Sequence, residues 1–303
     1  MTFTETLQSI GASEATPSTR DLKQLLNLEP KDRDAFRSVW RTIAPERRFE
    51  IAHQMVELAE DDVEFTFGEV WYWLLDDSEA SVRASAIEGL WEDTTLRALR
   101  RMISLLRDDK DPDVRSAAAV ALSRFAYAAA CGELDDGEEP LREALIGVLL
   151  NENEILDVRR RTMEAAGYFA DADEIQRQIG MAYDSGDQLL RESALLAMGR
   201  SMLPRWLPTI TGALKSQSPA LRYEAARAAG EMAEEGRKLL PTLLPLVNDQ
   251  DAEVAVAAIW ALGQIGGDAA RKALGQLVKS QDPTRSQAAV EALDELSLER
   301  GIL

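Results

Sequence analysis

The side chains that most often carry chemistry are scarce in this chain. His53 is the only histidine and Cys131 the only cysteine among 303 residues. One imidazole cannot build a histidine-rich metal site, and His53 is followed by Gln54 rather than by the glutamate of a His-Glu metal pair. One turn from Phe49 and near Val56, it reads as a partly buried packing residue. Cys131 ends an alanine-rich run and is followed by acidic residues, whose charge raises a thiol pKa and suppresses the nucleophilic thiolate. A lone cysteine also rules out an intrachain disulfide and a thiolate zinc cluster. Asp109, Asp111 and Asp113 open like a calcium loop, but Val114 stands where the sharp turn needs glycine, and Val120 where the bidentate glutamate belongs. They read instead as caps of a following helix. No catalytic residue, no metal and no cofactor is expected.

Arginine offers more. Arg83, Arg115, Arg159, Arg191 and Arg222 recur in similar contexts, and a row of guanidinium groups could clamp an acidic peptide or a phosphate. Acidic residues such as Asp77, Asp109, Asp157 and Asp187 lie within reach of each, so pairing within the fold is the first expectation and ligand binding the second. The positions one and five after each arginine stack on one side of a helix. They differ from copy to copy: Ser116/Val120, Arg160/Glu164, Glu192/Leu196, Tyr223/Arg227, Val256/Trp260. Binding surfaces are enriched in aromatic residues and arginine. Tyr223, Arg227, Val256 and Trp260, with Arg160 and Glu164, are therefore the candidate partner-binding residues. Trp260 either fills a gap between repeats or meets a partner. A second aromatic set, Phe65, Phe67, Trp71, Tyr72, Trp73 and Trp91, needs the preceding helices as a cover.

These residues sit on a repeat of roughly 32 residues, broken by about 12 extra residues between Arg115 and Arg159. Within a copy, Val114, Ala118, Ala121 and Leu122 form one apolar helical stripe. A second amphipathic run precedes it, for example Leu96, Leu99, Ile103 and Leu106, so each copy is a helix pair. Asp111, Asp157, Asp187, Ser218, Asp251 and Asp282 are expected N-caps, and Pro112, Pro219 and Pro283 suit the first helical position. Pro208 and Pro245 should kink first helices that begin at Pro204 and Pro241. Residues 1–20 read as a mobile tail, 21–62 as a divergent helical cap, and 63–303 as the repeat array. Glu133, Asp135, Asp136, Glu138 and Glu139 mark an acidic insertion near 132–140, either a solvated loop or a contact arm for a basic partner. The polar last helix, with Glu291 and Glu295, suits a terminal cap.

The pattern D-x-x-V-R-x-x-A-x-x-A-L-G, carried by Val82-Arg83 through Val254-Ala255, resembles HEAT repeats, particularly the short PBS-lyase HEAT-like class. The resemblance spans residues 63–296. It implies an all-α, right-handed α-solenoid of about seven helix pairs, with second helices lining a concave face and the arginines forming a ladder along it. It also implies a protein-interaction scaffold, with phycobilin-lyase-like relatives that handle chromophores.

With 53 acidic and 34 basic side chains the net charge is −19, which repels phosphate backbones and anionic lipid. Nucleic acid and membrane are thus not expected partners, and a glycosylase resembling the HEAT-like alkylpurine enzymes is disfavoured. Residues Met1 to Glu14 lack the basic and apolar regions of a secretory leader and no 18-residue apolar run occurs, so a cytoplasmic location is expected. The expected function is non-enzymatic: a scaffold gripping a protein with basic patches. The alternative is a bilin-lyase-like enzyme or enzyme subunit that handles a chromophore. Oligomeric state is left open.

Overall fold

The computed structural model describes residues 2–62, 64–134 and 136–301, with side chains through residue 297. Asp135 of the expected acidic insertion, and Val63, Ile302 and Leu303 at the ends of the expected repeat array, lie outside the described residues. Among the described residues there are eighteen α-helices and no strand. They are α1 (Phe3–Ala12), α2 (Thr19–Leu22), α3 (Arg33–Trp40), α4 (Pro45–Asp61), α5 (Gly68–Leu74), α6 (Ala80–Gly89), α7 (Leu96–Asp108), α8 (Pro112–Ala130) and α9 (Glu138–Leu150). Then come α10 (Leu156–Ala166), α11 (Asp173–Asp184), α12 (Gln188–Arg200), α13 (Leu207–Ala213), α14 (Pro219–Glu231), α15 (Leu240–Leu243), α16 (Ala252–Ile265), α17 (Gly267–Leu277) and α18 (Pro283–Gly301).

The chain divides into two compact units, Met1–Ala144 and Leu145–Leu303. In the first, the second helices α4, α6 and α8 pack side by side, with α5 and α7 against their partners α6 and α8. In the second, α10, α12, α14, α16 and α18 form the equivalent layer, and α11, α13 and α17 pack behind it. Both are stacks of helix pairs, as the period requires.

Local chemistry starts the helices where expected. Asp111, Asp187 and Asp251 accept backbone N–H groups in the first turns of α8, α12 and α16, and Asp282 accepts those of Thr284 and Arg285. Pro112, Pro219 and Pro283 are first residues of their helices. Two caps differ: Ser218 precedes α14 without a side-chain bond, and Asp157 falls inside the first turn of α10. The glycines late in the second helices let neighbouring second helices touch. A Cβ on Gly199 of α12 would stand 2.6 Å from the Cα of Ala228 in α14.

Three expectations are corrected. Residues 1–20 are not a mobile tail: Thr2 forms a capping box with Glu5, and Leu7 and Ile10 of α1 are buried. Arg47 secures the segment, donating Nε to the Ile10 carbonyl and a second nitrogen to the Ala15 carbonyl. The extra residues after Arg115 do not all form a loop either. They lengthen α8 to 19 residues, burying Phe125 and Ala126, and Glu138 and Glu139 begin α9. Finally, Pro208 and Pro245 do more than kink. Each removes an amide that would donate one turn back. Around them the chain alternates between 3-10 and α-helix: 3-10 at Pro204–Trp206 before α13, and at Ala233–Leu239 and Leu244–Asn248 on either side of α15.

Candidate partner-binding cleft

The arginine ladder comes first, because it positions the helices. Arg83 is buried and meets Asp109 through two parallel N–H···O bonds of 2.8 and 2.7 Å, while donating to the carbonyls of Asp77 and Ser78. Arg222 repeats this on Asp249, at 2.8 and 2.8 Å, with the carbonyls of Ser216 and Gln217. Each arginine thus reaches the turn that opens the next second helix, where the same aspartate accepts the amide two residues on, Asp111 or Asp251. Hydrogen bonds from Arg222 hold the Asp249 carboxyl below its usual range against the opposing effect of burial. At Asp109 burial is the largest single effect and acts upward, but the Arg83 and Asp111 hydrogen bonds and the charges of Arg83 and Lys110 oppose it, and the carboxyl is again lowered. Arg115 donates to the Asp109 carbonyl. Arg191 lies over the Tyr183 ring, 5.0 Å from its centroid, and its Nε, like that of Arg159, is buried without an acceptor.

Tyr223 and Arg227 of α14 and Val256 and Trp260 of α16 do come together. They line a cleft of about 380 Å³ with Glu231 from α14 and Glu291 and Glu295 from α18. Spacing explains the set: Tyr223, Arg227 and Glu231 are successive turns of α14, as Val256 and Trp260 are of α16. Trp260 serves both of its expected roles. Its ring packs where a Cβ of Gly230 would stand, 2.4 Å from Cζ3, and the half-buried side chain also lines the cleft. Arg227 stands 5.9 Å above the Tyr223 ring and pairs with Glu224 at 3.3 Å. Glu224 is pushed above the usual carboxylate range, first by burial, with Arg227 opposing and the like charges of Glu164 and Glu192 adding to it.

Arg160 and Glu164 are placed elsewhere and largely satisfied. Arg160 donates to the Leu189 carbonyl, to Ser193 and to Asp157. Ser193 in turn donates to Glu164, which also pairs with Arg161. The pair therefore ties α10 to α12. Leu196, expected on the same surface, is buried, whereas Val120 is 52% exposed. Sequence reasoning missed Glu231 and left Glu295 a capping role, although both extend the cleft's stacked positions by one further turn. It also missed a rung: buried Arg48 of α4 pairs with Asp77 at 3.2 Å.

The remaining candidates resolve simply. Phe65, Phe67, Trp71, Tyr72 and Trp73 are all buried, with Phe36 stacked on Trp40 and against Trp73 from the cap, and only Trp91 of that set is exposed. His53 is exposed rather than partly buried, stacked on Phe49 and 3.6 Å from Glu57. Cys131 is exposed at the C-terminal end of α8. Among the described residues no three His, Cys, Asp or Glu side chains gather as a metal site, and no helix is long and apolar enough to cross a membrane.

Comparison with known proteins agrees with the fold. A family model described as HEAT repeats matches residues 68–146 and 207–294, together more than half of the chain. No curated protein is similar in sequence at a significant level. Among solved structures, the complex of CpcE and CpcF of phycocyanin lyase from Nostoc is similar at 20% identity and a TM-score of 0.53, over 76% of this chain and 93% of that one. Human deoxyhypusine hydroxylase in complex with glycerol aligns over 97% of each chain at 15% identity and a TM-score of 0.37. An engineered protein aligns over 97% of this chain and 88% of its own, at 19% identity and a TM-score of 0.42.

Proposed function

The chain belongs to the HEAT-repeat family, and from that premise we propose that it is a non-enzymatic scaffold that holds a protein partner along its second helices. The observation that carries this reading is the cleft between α14, α16 and α18. Tyr223 and Trp260 offer aromatic faces there, and Glu231, Glu291 and Glu295 supply three carboxylates. Aromatic faces and carboxylates together suit a basic side chain, whose cation is attracted by both while its methylenes cover the ring. The net charge of −19 speeds the approach of such a partner.

The test is affinity purification of the tagged wild type and Trp260→Ala from native lysate at low salt, with mass spectrometry and an absorbance scan of the eluate. Wild type is expected to hold a stoichiometric partner that salt removes, and Trp260→Ala to lose it; because its ring also packs on Gly230, the variant should melt lower as well, and Tyr223→Ala, at a residue lining the same cleft, serves as the second variant. Equal retention by wild type and both variants would refute the cleft, and a visible chromophore in the eluate would favour the lyase-like alternative.

A further inference from the structure

In the first unit, Arg33 and Arg37 of α3 and Arg101 of α7 converge on Asp76, just beyond α5. Their terminal nitrogens stand 3.1, 2.6 and 2.7 Å from its two oxygens. Arg97, four residues before Arg101, forks onto Glu69 and stands over the Tyr72 ring, its Cζ 3.6 Å from the centroid. Among the described residues these four guanidinium groups form ion pairs with Asp76 and Glu69 alone, so the cluster carries two positive charges in excess. Two further carboxylates lie nearby: Asp77 is committed to Arg48 and to the indole N–H of Trp40, and Asp93, which also acts on Arg97, accepts from the Tyr72 hydroxyl and faces the Arg124 charge.

A surplus of cations is unexpected in a chain of net charge −19. It is also poorly used by the fold. A guanidinium has five N–H donors, yet Arg33, Arg37 and Arg101 each bond Asp76 through one nitrogen, and Nε of Arg33 has no acceptor. The cluster is open to solvent, with Asp76 38% exposed and Arg101 35%. Arg33, Arg97 and Arg101 line a cavity of about 450 Å³ together with Glu69, Asp76, Tyr72 and Trp73, within the range that holds small ligands, and Arg37 reaches Asp76 from outside that lining.

We infer that this cavity binds a phosphoryl dianion, which Arg33, Arg97 and Arg101 hold in competition with Asp76 and Glu69, with Arg37 adding its charge beside them. Charge selects the ligand: a phosphate monoester carries close to two negative charges at pH 7 and three acceptor oxygens, matching both the excess charge and the forked donors. A single carboxylate would leave half the surplus uncompensated. The field of the whole chain repels long polyanions, so the ligand is a free phosphate or one phosphorylated residue.

Calorimetric titration of the full chain with inorganic phosphate and with O-phosphoserine, at ionic strength fixed with chloride, tests this. Saturable one-to-one binding is expected, weakened about tenfold or more in Arg33→Gln and Arg101→Gln. Arg101→Lys, which keeps the charge and loses the fork, serves if the glutamine variant fails to fold. Asp76→Asn should bind more tightly, because it removes the internal competitor, and a purely structural cluster gives no such gain. Binding of O-phosphoserine would identify a phosphorylated residue as the source, and binding of inorganic phosphate alone a free anion. Absence of saturable binding, or equal affinity in wild type and both glutamine variants, would overturn the inference. It does not rest on the scaffold reading, whose Trp260 experiment is unaffected by either result.

Discussion

Asp249 and Asp76 both pair with arginine, and they do so in opposite ways. At Asp249 one guanidinium meets one carboxylate through two bonds, two further donors reach backbone carbonyls, and the carboxylate is 7% exposed. Asp109 with Arg83 is the same arrangement. At Asp76 three guanidinium groups share one carboxylate, a nitrogen each, in the open. A closed pair that uses four of its five N–H donors joins helices and has little left for a ligand. An open cluster with more cations than anions contributes little to the fold and keeps donors free. The same residue types therefore serve architecture in one place and recognition in the other, and stoichiometry and burial tell them apart.

Removing the acid at each place separates the two most sharply. Asp249→Ala strands Arg222 in a half-buried turn without its counter-charge, and a loss of about 3–5 kcal/mol is expected from breaking a buried pair. Asp76→Ala should cost less than about 1 kcal/mol, since its arginines turn to water. Urea unfolding of both variants, compared by midpoint at constant slope, measures the contrast. Equal losses would show that the Asp76 cluster is as structural as the ladder.

Much of this was legible before the fold was known, and the reasons for the rest are local. The period and the arginine spacing placed α6 to α18, because the small residues and the arginine are what neighbouring helices need in order to touch. Tyr223, Arg227, Val256 and Trp260 were legible as a set because large side chains at the positions one and five after the arginine break an otherwise small and polar pattern. Arg48 was hidden. Its predecessor is Arg47 instead of the usual aliphatic residue, and Arg47 is occupied with the carbonyls of Ile10 and Ala15. The contact that makes α1 an ordered helix thus also disguises the first rung. Asp76 was illegible for another reason: its partners lie 43, 39 and 25 residues away on two other helices, and no repeat brings them into register.

Acid offers a milder test of the ladder. Asp249 and Asp109 titrate lower in the folded chain than in the unfolded one. Their contribution is complete above the ordinary carboxylate pKa, near 4, and disappears as pH falls through the depressed folded values. Wild type should lose stability in that window, and Asp249→Asn should show a shallower dependence there, as measured by thermal unfolding between pH 2 and 5. Parallel curves would mean that Arg222 does not hold the Asp249 charge.

Glu224 inverts the Asp76 arrangement, and the smallest effect is expected there. Burial first, then the charges of Glu164 and Glu192, raise its folded pKa, while Arg227 at 3.3 Å opposes them only in part. A carboxyl whose folded pKa lies above its unfolded value binds protons preferentially in the folded state. Its charge therefore costs stability at pH 7, and the cost is relieved as pH falls through the raised value. Glu224→Gln keeps the shape without the charge, so it should stabilise the chain at pH 7 by less than about 1 kcal/mol. The advantage should shrink on acidification as wild type takes up the proton itself. Thermal unfolding of the two proteins at pH 7 and pH 4 reads both parts. A destabilised variant at pH 7 would mean that the Arg227 pair outweighs the crowding of carboxylates. In that event Glu224, like Asp249, would be a joint in the fold.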